Sequence, residues 1–195
     1  DPQSFDFPVG KPDAEGYYKA RGMRLRPPVH FGEDWNGKGG GDSDLGDPIH
    51  AIADGVVMFA YDCRGGWGPC ILLRHVYRDP ETKKVKYIDS QYAHLRSIAV
   101  KNGDFVKRGQ QIGTLGSNRG MYPAHLHFEM RSYSSISPGS GYADSALGRL
   151  SGEATLKKQR GSPEYQLNAA IDGEIIIPED GNGISIGIDS DEEAE

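Results

Sequence analysis

Short runs of strand-forming residues, each closed by turn chemistry, recur from about residue 28 to residue 133. Val56-Val57-Met58-Phe59-Ala60 is a continuous apolar run, the pattern of a strand covered on both faces. Ile71 to Tyr77 reads as a strand, Arg78 to Lys84 as a turn and Val85 to Leu95 as the return, which makes a hairpin. Asn102-Gly103-Asp104 is a further turn, and Leu126 to Met130 a last strand. The 27 glycines are roughly twice an ordinary share, as a turn-rich chain requires. The expected fold is mostly β: an antiparallel sheet or β-sandwich hybrid with few short helices.

Either side of this block the pattern weakens. Residues 1–27 are polar and lack periodicity, and read as an irregular N-terminal arm. Residues 134–195 read as a C-terminal extension that opens with a Ser/Gly-rich loop. Ser162-Pro163 can start a short helix through Ala170. Glu174 to Ile177 and Ile184 to Ile188 look like two strands about the Asp180-Gly181-Asn182-Gly183 turn, and Asp189 to Glu195 reads as an acidic disordered tail. No apolar run approaches the ~18 residues of a membrane-spanning helix. The chain opens with Asp1-Pro2-Gln3, without the apolar core of a signal peptide, as a cytosolic or an already processed secreted chain would.

The formal charge is −6. Lys83-Lys84-Val85-Lys86 is too short a basic tract for nucleic acid and reads as the solvated end of the hairpin. Cys63 and Cys70 flank Gly65-Gly66-Trp67-Gly68; across a hairpin they could form a disulfide, or remain two thiols. A metal site made from them lacks a second Cys pair.

Chemistry concentrates in His125-Leu126-His127-Phe128-Glu129-Met130-Arg131. At a period of two, Leu126, Phe128 and Met130 form one face, and His125, His127, Glu129 and Arg131 the other. Two imidazoles about 6.6 Å apart along a strand can reach one metal ion. His30 and Asp34 would start about 13 Å apart in a straight strand, so sharing an ion requires the chain to curl between them. Gly32 is the residue that permits it. His94 closes the returning hairpin strand. His50 and His75 have no candidate ligand nearby and read as surface or internally satisfied histidines.

Taken in order, these segments resemble the lysostaphin-type (LytM-like) zinc metallopeptidases. His30-Phe-Gly-Glu-Asp34 is similar to that family's His-x-x-x-Asp, and Leu45 to Val57 to its G-x-P-V-x-A-x-x-D-G-x-V. Tyr92-Ala-His-Leu95, Val100 to Gly113 (V-x-x-G-D-x-V-K-x-G-Q-x-I-G) and His125-Leu-His127 follow in register. The resemblance implies that His30, Asp34 and His127 bind Zn2+, leaving tetrahedral zinc an open position. It implies that His94 and His125 act on water and substrate, in either assignment of roles. It further implies hydrolysis of peptide cross-links in bacterial peptidoglycan, hence a periplasmic or secreted location.

Two stretches depart from the pattern: Gly116 to Ala124 before His125, and the insertion Trp35 to Asp44. Trp35, Arg119 and Tyr122 are candidate substrate contacts there, or plain packing. One rival is a non-catalytic module of the same fold that activates another wall hydrolase; such modules usually lack part of the metal set, which is complete here. Another comes from Val56-Val57 and Asp104 to Gln110, which also resemble biotinyl or lipoyl carrier barrels. No lysine is placed at a hairpin tip for such a role.

Overall fold

The computed structural model describes residues 5–24, 26–27, 29–79, 81–132, 137–139, 148–159, 174–176 and 185–187. The strands in chain order are β1 (Tyr17–Arg21), β2 (Glu33–Gly37), β3 (Pro48–His50), β4 (Gly55–Asp62), β5 (Pro69–Arg78), β6 (Val85–Ala93) and β7 (Ser97–Ile98). β8 (Phe105–Val106), β9 (Gln111–Thr114), β10 (Leu126–Arg131) and β11 (Arg149–Leu150) follow, then the one α-helix among the described residues, α1 (Gly152–Gln159). β12 (Glu174–Ile176) and β13 (Ser185–Gly187) pair with each other. Among the described residues all strand pairings are antiparallel, and the fold is the mostly β one expected.

The main sheet runs β1-β2-β10-β6-β5-β4-β8, with β11 beside β10, and a three-stranded sheet runs β3-β9-β7. β10 is shared along one edge: β2 pairs with it over Leu126–Phe128 and β11 over Met130–Arg131. The hairpin of β5 and β6 is the longest pairing, from Ile71↔Tyr92 to Arg78↔Val85.

One apolar cluster gathers Ile49, Ile52, Val57, Ile71, Leu73, Leu95, Ile112, Leu126, Phe128 and Met130, among others. A second gathers Val56, Met58, Phe59, Cys70, Leu72, Val76 and Ala93. β4 and β5 therefore send alternate side chains into two different clusters, which is why they read as apolar without alternation. On β10, Leu126, Phe128 and Met130 all enter the first cluster, leaving His127, Glu129 and Arg131 on the other face. That polar face is not solvated: every residue of β10 is buried.

Within the stretch expected to be an irregular arm, Tyr17–Arg21 forms an edge strand on β2. Its side chains are almost all exposed, so no hydrophobic alternation marks it; backbone pairing alone does. The helix expected over 163–170 and the acidic tail lie outside the described residues. Trp35 belongs to β2 and is buried against Phe7, ring centroids 5.4 Å apart; it is core and not a substrate contact.

Candidate metal and catalytic site

Three neighbouring strands set the site in one row. Asp34 on β2 stands directly opposite His127 on β10, and His127 stands opposite Ala93 on β6, the residue before His94. Cross-strand partners project from the same face at about 5 Å, so Asp34 and His127 must meet. Their closest approach is 3.0 Å, from His127 Nδ1 to Asp34 Oδ1.

His30 joins them from outside β2. Its backbone pairs with Arg24 in a two-way bridge, which turns the chain back before β2 begins. His30 Nε2 then lies 3.0 Å from the same Asp34 Oδ1. The curl expected between these residues is present, but Gly32 serves it differently. Gly32 has no left-handed φ. A Cβ there would lie 2.6 Å from the Phe128 carbonyl oxygen, 2.7 Å from His127 Nε2 and 2.9 Å from Glu129 Cγ. Only a residue without a side chain lets β10 approach this closely.

His94 and His125 stand across from this trio. The ring of His94 is 4.9 Å from that of His125 and 5.4 Å from that of His127. His125 Nε2 is 3.7 Å from Asp34 Oδ1. His94 has φ +64°, a left-handed conformation that costs a non-glycine residue about 1–3 kcal/mol and aims the side chain across the row.

Each imidazole is oriented by its other nitrogen. A carbonyl can only accept, so the ring nitrogen facing one carries the proton. His30 Nδ1–H donates to Gly22 O (3.0 Å), His94 Nδ1–H to Trp67 O (3.1 Å) and His125 Nδ1–H to Pro123 O (2.8 Å). His127 Nε2–H donates to Glu129 Oε1 (3.1 Å). His30 and His127 thus turn Nε2 and Nδ1 towards Asp34, while His94 and His125 are left with Nε2 as their acceptor atom.

Electrostatics follow from this packing. Burial alone would depress His127, but the Asp34 and Glu129 carboxylates outweigh it and hold its pKa up at about 9. Burial would raise Asp34, yet hydrogen bonds and charge from His127 and His30 hold it well below the carboxylate range. Glu129 is lowered, against its own burial, by His127 and Arg149. His94 is pushed down to about 3 by burial, helped by its histidine neighbours.

One ligand atom each from His30, Asp34 and His127 lies within 4.8 Å of the other two, the one such group among the described residues. Two imidazole nitrogens, each on a ring whose other nitrogen is already hydrogen-bonded, and one carboxylate oxygen converge here, a donor set that fits a zinc ion with a vacant position. His50 and His75 lie elsewhere. His75 is wholly buried, hydrogen-bonded to the Asp54 carbonyl (2.9 Å) and to Ser90 Oγ (2.7 Å), hence internally satisfied.

The site walls are loops. Tyr122 packs over His94 (4.8 Å) and His125 (5.9 Å), whereas Arg119 points away to an exposed ion pair with Asp62. Asp42, in the insertion, accepts the backbone N–H of Ala124 (2.8 Å) and so ties the insertion to the loop before His125. Trp67 went unmarked in the sequence except as part of a turn. Its ring is 5.5 Å from His127, and its carbonyl receives both the backbone N–H and the Nδ1–H of His94. Cys63 and Cys70, at the base of that turn, are free thiols here.

Comparison with known proteins supplies the family. The model of peptidase family M23 matches residues 19–138. The chain is 32% identical over 112 residues to the DD-carboxypeptidase/endopeptidase Mpg of Neisseria meningitidis serogroup B, covering 56% of this chain and 23% of that protein. It is 36% identical over 104 residues to the murein hydrolase activator NlpD of Salmonella typhimurium, covering 52% of this chain and 25% of that protein. The chain thus spans about a quarter of the length of each of these relatives. Among solved structures, the catalytic domain of the antimicrobial peptidase lysostaphin from Staphylococcus simulans superimposes with a TM-score of 0.54 at 27% identity, covering 73% of this chain and 94% of that one. The family match takes in β2, β6 and β10 with all five site residues, and the chain belongs to peptidase family M23.

Proposed function

We propose that this chain is a zinc-dependent endopeptidase that hydrolyses peptide cross-links of bacterial peptidoglycan, and that it works in the periplasm or outside the cell, where that polymer lies. One observation carries the reading: the trio His30, Asp34 and His127 is complete, and two further histidines stand beside it, each with Nδ1 tied to a backbone carbonyl. A module that only bound or signalled would need neither feature.

His30 Nε2, Asp34 Oδ1 and His127 Nδ1 would hold the ion. Bound there, zinc would polarise the scissile carbonyl and make a water molecule acidic near neutral pH. His94 and His125 supply the proton chemistry. Each has its Nδ1–H tied to a backbone carbonyl, so Nε2 alone can take a proton from water or return one to the leaving amine. Burial keeps His94 neutral at physiological pH. Asp34, wedged between two imidazoles, stays ionised and available as a ligand.

The test is digestion of defined muropeptides with mass spectrometry of the products, alongside zinc content. The reading expects about one zinc per chain, cleavage abolished by chelation and cleavage restored by zinc. A chain that takes up zinc but leaves every cross-linked muropeptide intact would refute it. The same experiment addresses a second reading, favoured by the likeness to a murein hydrolase activator. Under that reading the chain cuts nothing by itself and instead raises the activity of an added murein hydrolase.

A further inference from the structure

β11 and α1 begin after the family-matched region ends, yet they touch both halves of the site. Glu129 divides its carboxylate between two partners: Oε1 accepts from His127 Nε2 (3.1 Å), and Oε2 accepts from Arg149 Nε (2.7 Å). Glu129 and Arg149 are both buried. The Arg149 guanidinium also donates to the Pro138 carbonyl (3.1 Å) and lies over the ring of Phe31, 4.5 Å from its centroid. Phe31 is the residue after His30. One side chain therefore packs on the His30 segment and fixes the carboxylate that orients His127.

The start of α1 is fastened beside the third ligand. Glu33, next to Asp34 and 1% exposed, accepts from Ser151 Oγ (2.9 Å) through Oε1 and from the backbone N–H of Glu153 (2.9 Å) through Oε2. Lys19 from β1 approaches the same group at 3.8 Å. Gly152 packs against Phe128, where an added Cβ would meet the ring at 2.9 Å.

We propose that Arg149 is a positioning residue for the metal site, acting through Glu129 on His127, and that residues 148–159 belong to the site as its brace. The inference rests on the metal-binding reading above. The physical reason is rotational freedom. With its second oxygen held by Arg149, the Glu129 carboxylate has one orientation, and the acceptor for His127 Nε2–H is fixed in space. Remove the guanidinium and Oε2 is left without that donor in a water-poor interior; the carboxylate can swing, and the ring that should aim Nδ1 at the ion turns with it. Partners that orient a ligating histidine in this way are worth about 10- to 100-fold in metal affinity.

The experiment measures zinc affinity of the full chain by competition with a chromophoric chelator. It compares the parent, Arg149→Met, Arg149→Lys, Glu129→Gln and the double variant, with thermal melts of each metal-free protein. Arg149→Met is expected to bind zinc about 10- to 100-fold more weakly. In the Glu129→Gln background the same change should weaken binding further by less than about twofold, because the relay is already broken. Visible absorption of the cobalt-loaded proteins should shift in Arg149→Met, a signature that a loss of fold stability alone does not produce. Arg149→Lys keeps the charge but not the fork, and should fall between parent and Arg149→Met; it decides the matter if Arg149→Met does not fold. Parent-like affinity in both Arg149 variants would overturn the proposal, as would an undiminished effect of Arg149→Met beside Glu129→Gln. A parent that bound no zinc would overturn the metal-binding reading itself, and this inference with it.

Discussion

Replacing Gly32 with alanine tests whether the site depends on the close approach of β10 to the segment before β2. The new methyl carbon would begin 2.6 Å from the Phe128 carbonyl oxygen, where ordinary contact starts at 3.4 Å, an overlap of about 0.8 Å. It would also press on His127 Nε2 at 2.7 Å. Neither neighbour can yield freely. Phe128 is backbone-paired on both sides, and His127 Nε2 is bound to buried Glu129. Overpacking of this kind costs about 1–3 kcal/mol, and each 1 kcal/mol lowers the melting temperature of a chain this size by about 2–4 °C. The larger effect falls on function: displacing a reacting group by nearly 1 Å can cost about 10²-fold in turnover. Gly22→Ala is the matched control. Gly22 offers its carbonyl to His30 Nδ1, but a Cβ there would meet nothing within 4 Å and its φ is ordinary. That variant should keep full activity and stability within about 0.5 kcal/mol. Thermal melts, zinc titration and muropeptide cleavage are measured on both. A folded Gly32→Ala protein with turnover and zinc affinity within threefold of the parent would refute the close-packing argument.

His125→Ala should keep stoichiometric zinc by metal analysis and lose muropeptide cleavage, while His127→Ala should lose both; His125→Ala activity within a few fold of the parent would make its assigned role wrong. Burial holds His75 down at about 4, against 6.5 for an ordinary histidine, so below pH 6.5 the unfolded chain takes up a proton that the folded chain refuses. Stability from this group is complete above pH 6.5 and falls towards pH 4 by up to about 3 kcal/mol; urea melts at pH 7 and 4.5 should show that loss shrinking in His75→Gln, and an unchanged slope would contradict it. Arg74 and Asp89 form a buried two-point pair at 2.9 and 3.0 Å. Arg74→Met should cost about 3–5 kcal/mol in denaturant titration, whereas Arg74→Met with Asp89→Leu should recover most of it; equal losses would argue against the pair.

Much of the strand framework was legible because β4, β5, β6 and β10 carry their signal in side chains. Apolar runs and period-two alternation report burial, and Gly, Asn and Asp report turns. The resemblance named His30, Asp34, His94, His125 and His127, and the structure brings these five together. Legibility stopped wherever the cause is not a side-chain pattern. β1 is held by backbone pairing on an exposed edge, so Tyr17–Arg21 looks irregular. Trp67 acts partly through its carbonyl, which every residue has. Period two assigns His127, Glu129 and Arg131 to one face but cannot tell a solvated face from a buried polar one. The strand β11, two residues long and far along the chain, pairs beside β10 and sends Arg149 to Glu129 on that face. Gly32 was singled out for the right position with the wrong cause, since conformational freedom and absence of bulk leave the same letter in a sequence.

Asp34, His127 and Ala93 sit shoulder to shoulder on hydrogen-bonded strands, whereas Trp67, Tyr122 and the insertion hang from the rim. Two members of the candidate site, Asp34 and His127, are thus laid on paired backbone, while His94 and His125 hang by Nδ1–H from carbonyls of the rim. Whoever exchanges these loops must therefore keep the Trp67 and Pro123 carbonyls in place, because the aim of His94 and His125 is borrowed from them.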